Sequence, residues 1–231
     1  MWQQEMVVRL RQAYEAAADP DRAEAMSAYL KGVAPFLGIG AGDRRRMMRQ
    51  VWRELPTPTA QEAVAGAADL RALEFREYHY VGAETLGRWH RKLDPALLNT
   101  EIRAALLHVP WWDSVDLLGS AVINPMTAEH PETLDVMWEW NSAADQWLIR
   151  ASIQHQRGRK APDLDLLFAL CEPHTADRRF FVAKAIGWAL RDATRIDVGA
   201  VEDFVAAHPE LPPVAAREAR RGIARETAVD V

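Results

Sequence analysis

The segment Pro110-Trp111-Trp112-Asp113-Ser114-Val115-Asp116 concentrates indoles and carboxylates in a single short stretch. Pro110 suits the first turn of a helix, where a missing N–H costs nothing. A helix begun there sets Trp112 and Asp116, one turn apart, on one face and Trp111, Val115 and Leu118 together on another. The second face reads as core. The first then carries an indole beside a carboxylate, which is costly to bury unless the acid has a partner or a task. Asp113 reads differently, as a negative charge supporting the helix N-terminus.

A second constellation lies between Asp177 and Asp192, where Phe181, Lys184, Trp188 and Arg191 project from one side at helical spacing. Aromatic faces meet sugars and bases, and cations meet phosphates, so the interleaving suits nucleic acid. The plainer alternative is a core stripe with snorkelling basic ends. Arg150 lies one turn from Gln146 and Trp147 in an apolar stretch, so it is expected to contact a carboxylate such as Asp116 or a bound phosphate.

Positioning these residues falls to helices. Apolar residues recur three and four apart through most of the 231 residues, with no alternating strand pattern. Helix starts are expected at Thr57-Pro58, Asp94-Pro95, Asp163 and Asp177, and stops at Gly38 to Gly42, Gly158 and His208-Pro209. Tyr78, Trp112, Trp147 and Phe181 open equivalent helices at spacings of 34, 35 and 34 residues. That period fits helix hairpins that bury their apolar faces only by stacking, so the expected fold is an all-α, HEAT-like repeat solenoid with a concave face. No Gly/Ser linker interrupts the chain, which predicts one domain over residues 1–231.

The net charge of −5 argues against phosphate binding until its distribution is read. Lys31 to Arg53 holds six basic residues and one acid, whereas Glu132 to Asp145 holds four acids and no base. Arg44, Arg45 and Arg46 are therefore candidate phosphate contacts. One cysteine, Cys171, permits no internal disulfide and reads as a packed thiol. The N-terminus lacks the apolar core of a signal peptide and no run approaches a membrane span, so a soluble, cytoplasmic protein is expected. The seven histidines form no HExxH or Cys/His ligand spacing, and no metal or cofactor is expected.

Tyr29-Leu30-Lys31, Pro35-Phe36-Leu37-Gly38-Ile39, Glu74-Phe75-Arg76-Glu77-Tyr78, the Trp-Trp-Asp-Ser-Val-Asp segment, Arg150 and Phe180-Phe181 through Ile186-Gly187-Trp188 follow one another in order. Together, over roughly residues 20 to 225, they resemble the AlkD-type DNA alkylation repair glycosylases. The resemblance implies a HEAT-like fold on duplex DNA, removing N3- and N7-alkylated purines without flipping the damaged base; the chain is expected to be a monomer. It further implies that Asp116 is the catalytic carboxylate, that Trp112 and Trp188 contact the sugar, that Arg150 contacts a phosphate and that Tyr29 faces the lesion. A non-catalytic HEAT scaffold and a protein that binds damaged or branched DNA without excising a base are the alternatives.

Overall fold

The computed structural model describes residues 1–228 and is helical, with no strand among them. Its helices are α1 (Trp2–Glu15), α2 (Pro20–Tyr29), α3 (Ala41–Glu54), α4 (Ala60–Arg71), α5 (Arg76–Arg88), α6 (Glu101–Leu107), α7 (Trp112–Leu118), α8 (Asn124–Glu129), α9 (Leu134–Asn141), α10 (Gln146–Gln154), α11 (Leu164–Cys171), α12 (Phe180–Ala193), α13 (Val198–Ala207) and α14 (Pro213–Thr227). A π-helical turn, Gly119–Ile123, links α7 to α8. No helix among the described residues is long and apolar enough to cross a membrane. The described residues form two compact units, the first ending at residue 126 and the second beginning at residue 127.

In the first unit α1 buries Trp2, Met6, Leu10 and Tyr14, one residue per turn, so a single stripe meets α3 and α4. Helix α4 packs on α5, and α5 in turn on α7 and the π turn. In the second unit every other helix forms a row: α10 packs on α12 and α12 on α14, while α11 and α13 cover the steps. This is the helix-on-next-helix stacking that the repeat period implies. Tyr78, Trp112, Trp147 and Phe181 each fall in the first turn of their helices.

Several expected starts shift. The Thr57-Pro58 start moves to Thr59, which forms a capping box with Glu62. Asp94 caps only a short 3₁₀ turn, Pro95–Asn99. Asp177 is not a cap: its carboxylate accepts from the backbone and side chain of Arg179, and α12 starts at Phe180.

Helix α12 can approach α14 because residue 187 is glycine. A Cβ there would stand 2.9 Å from the Ala215 Cα and 2.9 Å from the Glu218 Cβ. Cys171 is wholly buried, and burial pushes its thiol up to about 12.

His155, also fully buried, donates from Nδ1 to the Ser152 carbonyl at 2.6 Å. Burial lowers its pKa to about 4, so it is neutral in the folded protein at pH 7. Below about 6.5 the unfolded chain takes up a proton that the folded one refuses, so stability is complete above that pH and is lost as pH falls toward 4. By pH 5 this histidine alone removes about 2 kcal/mol. Denaturant unfolding at pH 7 and 5 should show the loss, and His155→Gln should shrink it; equal losses in both proteins would exclude His155 as its source.

Candidate active site

The candidate residues fall into two groups, one per unit. In the first, the segment carrying Trp112 and Asp116 is anchored by Arg76, the first residue of α5, which is completely buried. Its guanidinium donates to both carboxylate oxygens of Asp113 at 3.0 and 2.8 Å, to Ser114 Oγ at 2.8 Å and to the Val109 carbonyl at 2.8 Å. The Tyr80 hydroxyl donates to the same Asp113 carboxylate. Burial, then the neighbouring Asp113 charge, raise the Tyr80 pKa and keep it a donor. Asp113 thus fixes the helix start structurally, through Arg76 and Tyr80 more than through the helix dipole. Just upstream, Val109 has φ +43°, a left-handed conformation that a β-branched residue rarely adopts. Such strain costs about 1–3 kcal/mol and persists only where neighbours over-determine it, as the Arg76 bond to its carbonyl does here.

The next residue, Glu77, works in the other direction. Its buried carboxylate accepts from the backbone amides of Leu37, Gly38 and Ile39 at 3.0, 2.9 and 3.1 Å. Three convergent N–H groups form a nest for the anion. Gly38 has φ +88°, and a Cβ there would lie 2.0 Å from the Asp19 carbonyl oxygen, so only glycine lets the loop press against the start of α2. Asp19 caps α2 by accepting from the Arg22 amide, and Tyr29 is the last residue of that helix. Adjacent residues of α5 therefore hold the two segments that present Tyr29 and Trp112.

Those rings meet edge to face, 6.1 Å apart. Tyr29 is 70% exposed, while Trp112 and Asp116 are partly buried. Beside the rings opens a cavity of about 480 Å³ walled by Met26, Tyr29, Phe36, Tyr80, Trp112 and Leu117. The core face of α7 holds Val115 and Leu118 as expected, although Trp111 is only partly buried. The run Arg44-Arg45-Arg46 divides. Arg44, expected at a phosphate, is instead 3% exposed, with its guanidinium on Glu84 at 2.6 and 3.0 Å and over the Tyr80 ring at 5.0 Å. It faces inward because residue 44 shares the buried side of α3 with Met48 and Val51. Arg45 and Arg46 face outward, bound to Glu84 and Asp43.

In the second unit, Trp188 is partly buried and surrounded by cations: Arg157 lies 4.6 Å from its ring centroid, Arg150 and Lys184 5.4 Å, and Arg191 5.9 Å. Arg150 is 1% exposed and donates to the Phe181 carbonyl at 3.0 Å. The Phe181 ring packs on Trp147 with centroids 4.7 Å apart. The side expected from Phe181, Lys184, Trp188 and Arg191 is thus partly interior and partly a cationic rim.

A family model for DNA alkylation repair enzymes matches residues 10–223. The chain belongs to that family. Among solved structures, a protein described as a predicted DNA alkylation repair enzyme from Enterococcus faecalis superposes with a TM-score of 0.79 at 26% identity, covering 87% of this chain and 94% of that one. No curated protein matches the sequence. As a DNA alkylation repair enzyme, the protein acts in the repair of alkylated DNA.

Sequence reasoning missed several residues of this repair enzyme. Tyr80 and Phe36 wall the cavity, Arg157 completes the cations around Trp188, and Glu218 binds Lys184 and Arg191. Tyr80 had a signal, one turn from Arg76 on α5. Glu218 had none, since one acid in the arginine-rich α14 looks like any solvated charge.

Proposed function

We propose that this protein is a monofunctional DNA glycosylase that removes cationic N3- and N7-alkylated purines from duplex DNA without flipping the damaged nucleotide. The reading is carried by the family match across residues 10–223 in a chain that keeps Trp112 and Asp116 on one short helix. An alkylated purine already bears positive charge, so it leaves with the electrons of its C1′–N bond and needs no acid to protonate it. What rises in the transition state is positive charge on the deoxyribose. Asp116 supplies a fixed negative charge to that sugar and orients the water that adds to C1′, whose proton passes to the carboxylate or to solvent. Trp112 and Trp188 each offer a ring face to electron-poor deoxyribose, worth on the order of 0.5–2 kcal/mol per ring. Lys184, Arg191, Arg45 and Arg46 neutralise phosphates, Arg150 lies too deep to do so directly and braces the Trp188 ring instead, and Tyr29 rests beside the lesion.

Incubating the purified protein with methylated duplex DNA and separating the supernatant by chromatography tests this directly. Free 3-methyladenine or 7-methylguanine is expected. DNA that is bound but releases neither base would leave a damage-binding protein instead.

A further inference from the structure

The mechanism above uses Trp188 and its cations but not the acid that holds them. Glu218, on α14, is 2% exposed. Its Oε1 accepts from Lys184 Nζ at 2.9 Å and from Arg221 at 3.3 Å, and its Oε2 accepts from Arg191 at 2.7 Å. Lys184 and Arg191 stand seven residues apart on α12, one turn before and one turn after Trp188, and both reach the Trp188 ring. One buried carboxylate thus ties down the cations on both sides of a single indole.

Cohesion between α12 and α14 does not need that acid. The two helices already meet through Gly187 against Ala215 and through an apolar core that includes Ile186, Leu190 and Ala219. Replacing a buried ion pair by a well-packed apolar side chain is often neutral or stabilising, so burying a carboxylate here is poorly explained by stability. It also lies among the cations that duplex binding would use, where a negative charge lowers affinity. The distinctive effect of Glu218 is geometric: left alone, two long cationic side chains sweep many rotamers and reach across the indole face.

We infer that Glu218 is a positioning residue, which holds Lys184 and Arg191 as a rigid frame around Trp188 and keeps the indole face aligned for the deoxyribose. This rests on the reading of Trp188 as a sugar contact. Positioning and plain electrostatics predict opposite outcomes for Glu218→Gln. Loss of a negative charge alone would tighten DNA binding and leave excision intact. Loss of the frame lowers single-turnover excision about tenfold or more, because small misplacements of positioned groups cost that much. Affinity for undamaged duplex should stay equal or rise.

The test combines three measurements on full-length protein: excision rate at saturating enzyme, affinity for undamaged duplex, and the ¹⁵N–¹H resonance of the Trp188 indole, assigned with Trp188→Phe. The expected result is slower excision, unweakened binding and a shifted or broadened indole signal, with a melting temperature that falls less than for Arg76→Met because the cations left behind are partly exposed. Wild-type excision, or an unmoved indole resonance, overturns the inference. Should Glu218→Gln not fold, Glu218→Asp, which keeps the charge but withdraws it by one methylene, is read out in the same way. Trp188→Ala separates the two levels: full excision by it removes the sugar-contact reading itself, whereas its loss beside an active Glu218→Gln removes only the positioning role.

Discussion

Asp116→Asn is expected to lower single-turnover excision of 7-methylguanine from duplex DNA by at least about 10²-fold, the scale of losing one preorganised electrostatic group. The substitution keeps shape and removes charge. Asp116 lies on α7 just after the turn anchored by Arg76, so the carboxamide should occupy the same place. Binding of undamaged duplex should change little, because the lost interaction is with charge that appears only as the C1′–N bond breaks. Asp113→Asn is the instructive comparison. That carboxylate is held by Arg76 and Tyr80, and its substitution should weaken folding rather than the chemical step. Near wild-type excision by Asp116→Asn would remove the carboxylate from the mechanism.

The second large effect is on stability. Arg76→Met leaves the Asp113 carboxylate, 9% exposed, without its cation and leaves the strained Val109 carbonyl without its donor. Breaking a buried pair on one side costs about 3–5 kcal/mol, which lowers the melting temperature of a chain this size by roughly 10 °C. Arg76→Met with Asp113→Leu removes both charges and should recover part of that loss, since the remaining damage is packing rather than an orphaned anion. Thermal unfolding of the two single variants and the double variant closes the cycle. A double variant whose loss equals the sum of the singles would show that the two side chains do not act as a pair.

The helical class was legible because it depends on periodicity, and the aromatics at 78, 112, 147 and 181 each fall in the first turn of a helix. Exact starts were less legible. Thr57-Pro58 and Asp177 both look like caps, but whether a side chain caps depends on where the preceding loop is anchored. Asp177 turns instead to Arg179, which also donates to the Ala144 carbonyl. The boundary between the units left no trace in composition because it falls inside the residue range of α8, where no glycine or serine linker exists.

Within the candidate site, local spacing separated Asp113 from Asp116 on α7. It could not foresee Arg44 turning inward to Glu84 or Glu218 reaching α12, because these pairings join residues 27 to 40 positions apart. The motifs Glu74-Phe75-Arg76-Glu77-Tyr78 and Pro35-Phe36-Leu37-Gly38-Ile39 were visible as strings. Their meaning, one residue for each of two presenting segments, belongs to the folded chain.

A protein that works where DNA is being alkylated meets the same electrophiles as its substrate. Thiolate is the form of cysteine that such reagents attack, and Cys171 is denied it twice: the thiol is walled off by core side chains and held protonated by the same burial. Its sulfur becomes reactive only when the second unit opens. The cohesion of its core is therefore what shields Cys171 from alkylation, and the rate at which Cys171 is modified in the native protein is a clock for how often that core comes apart.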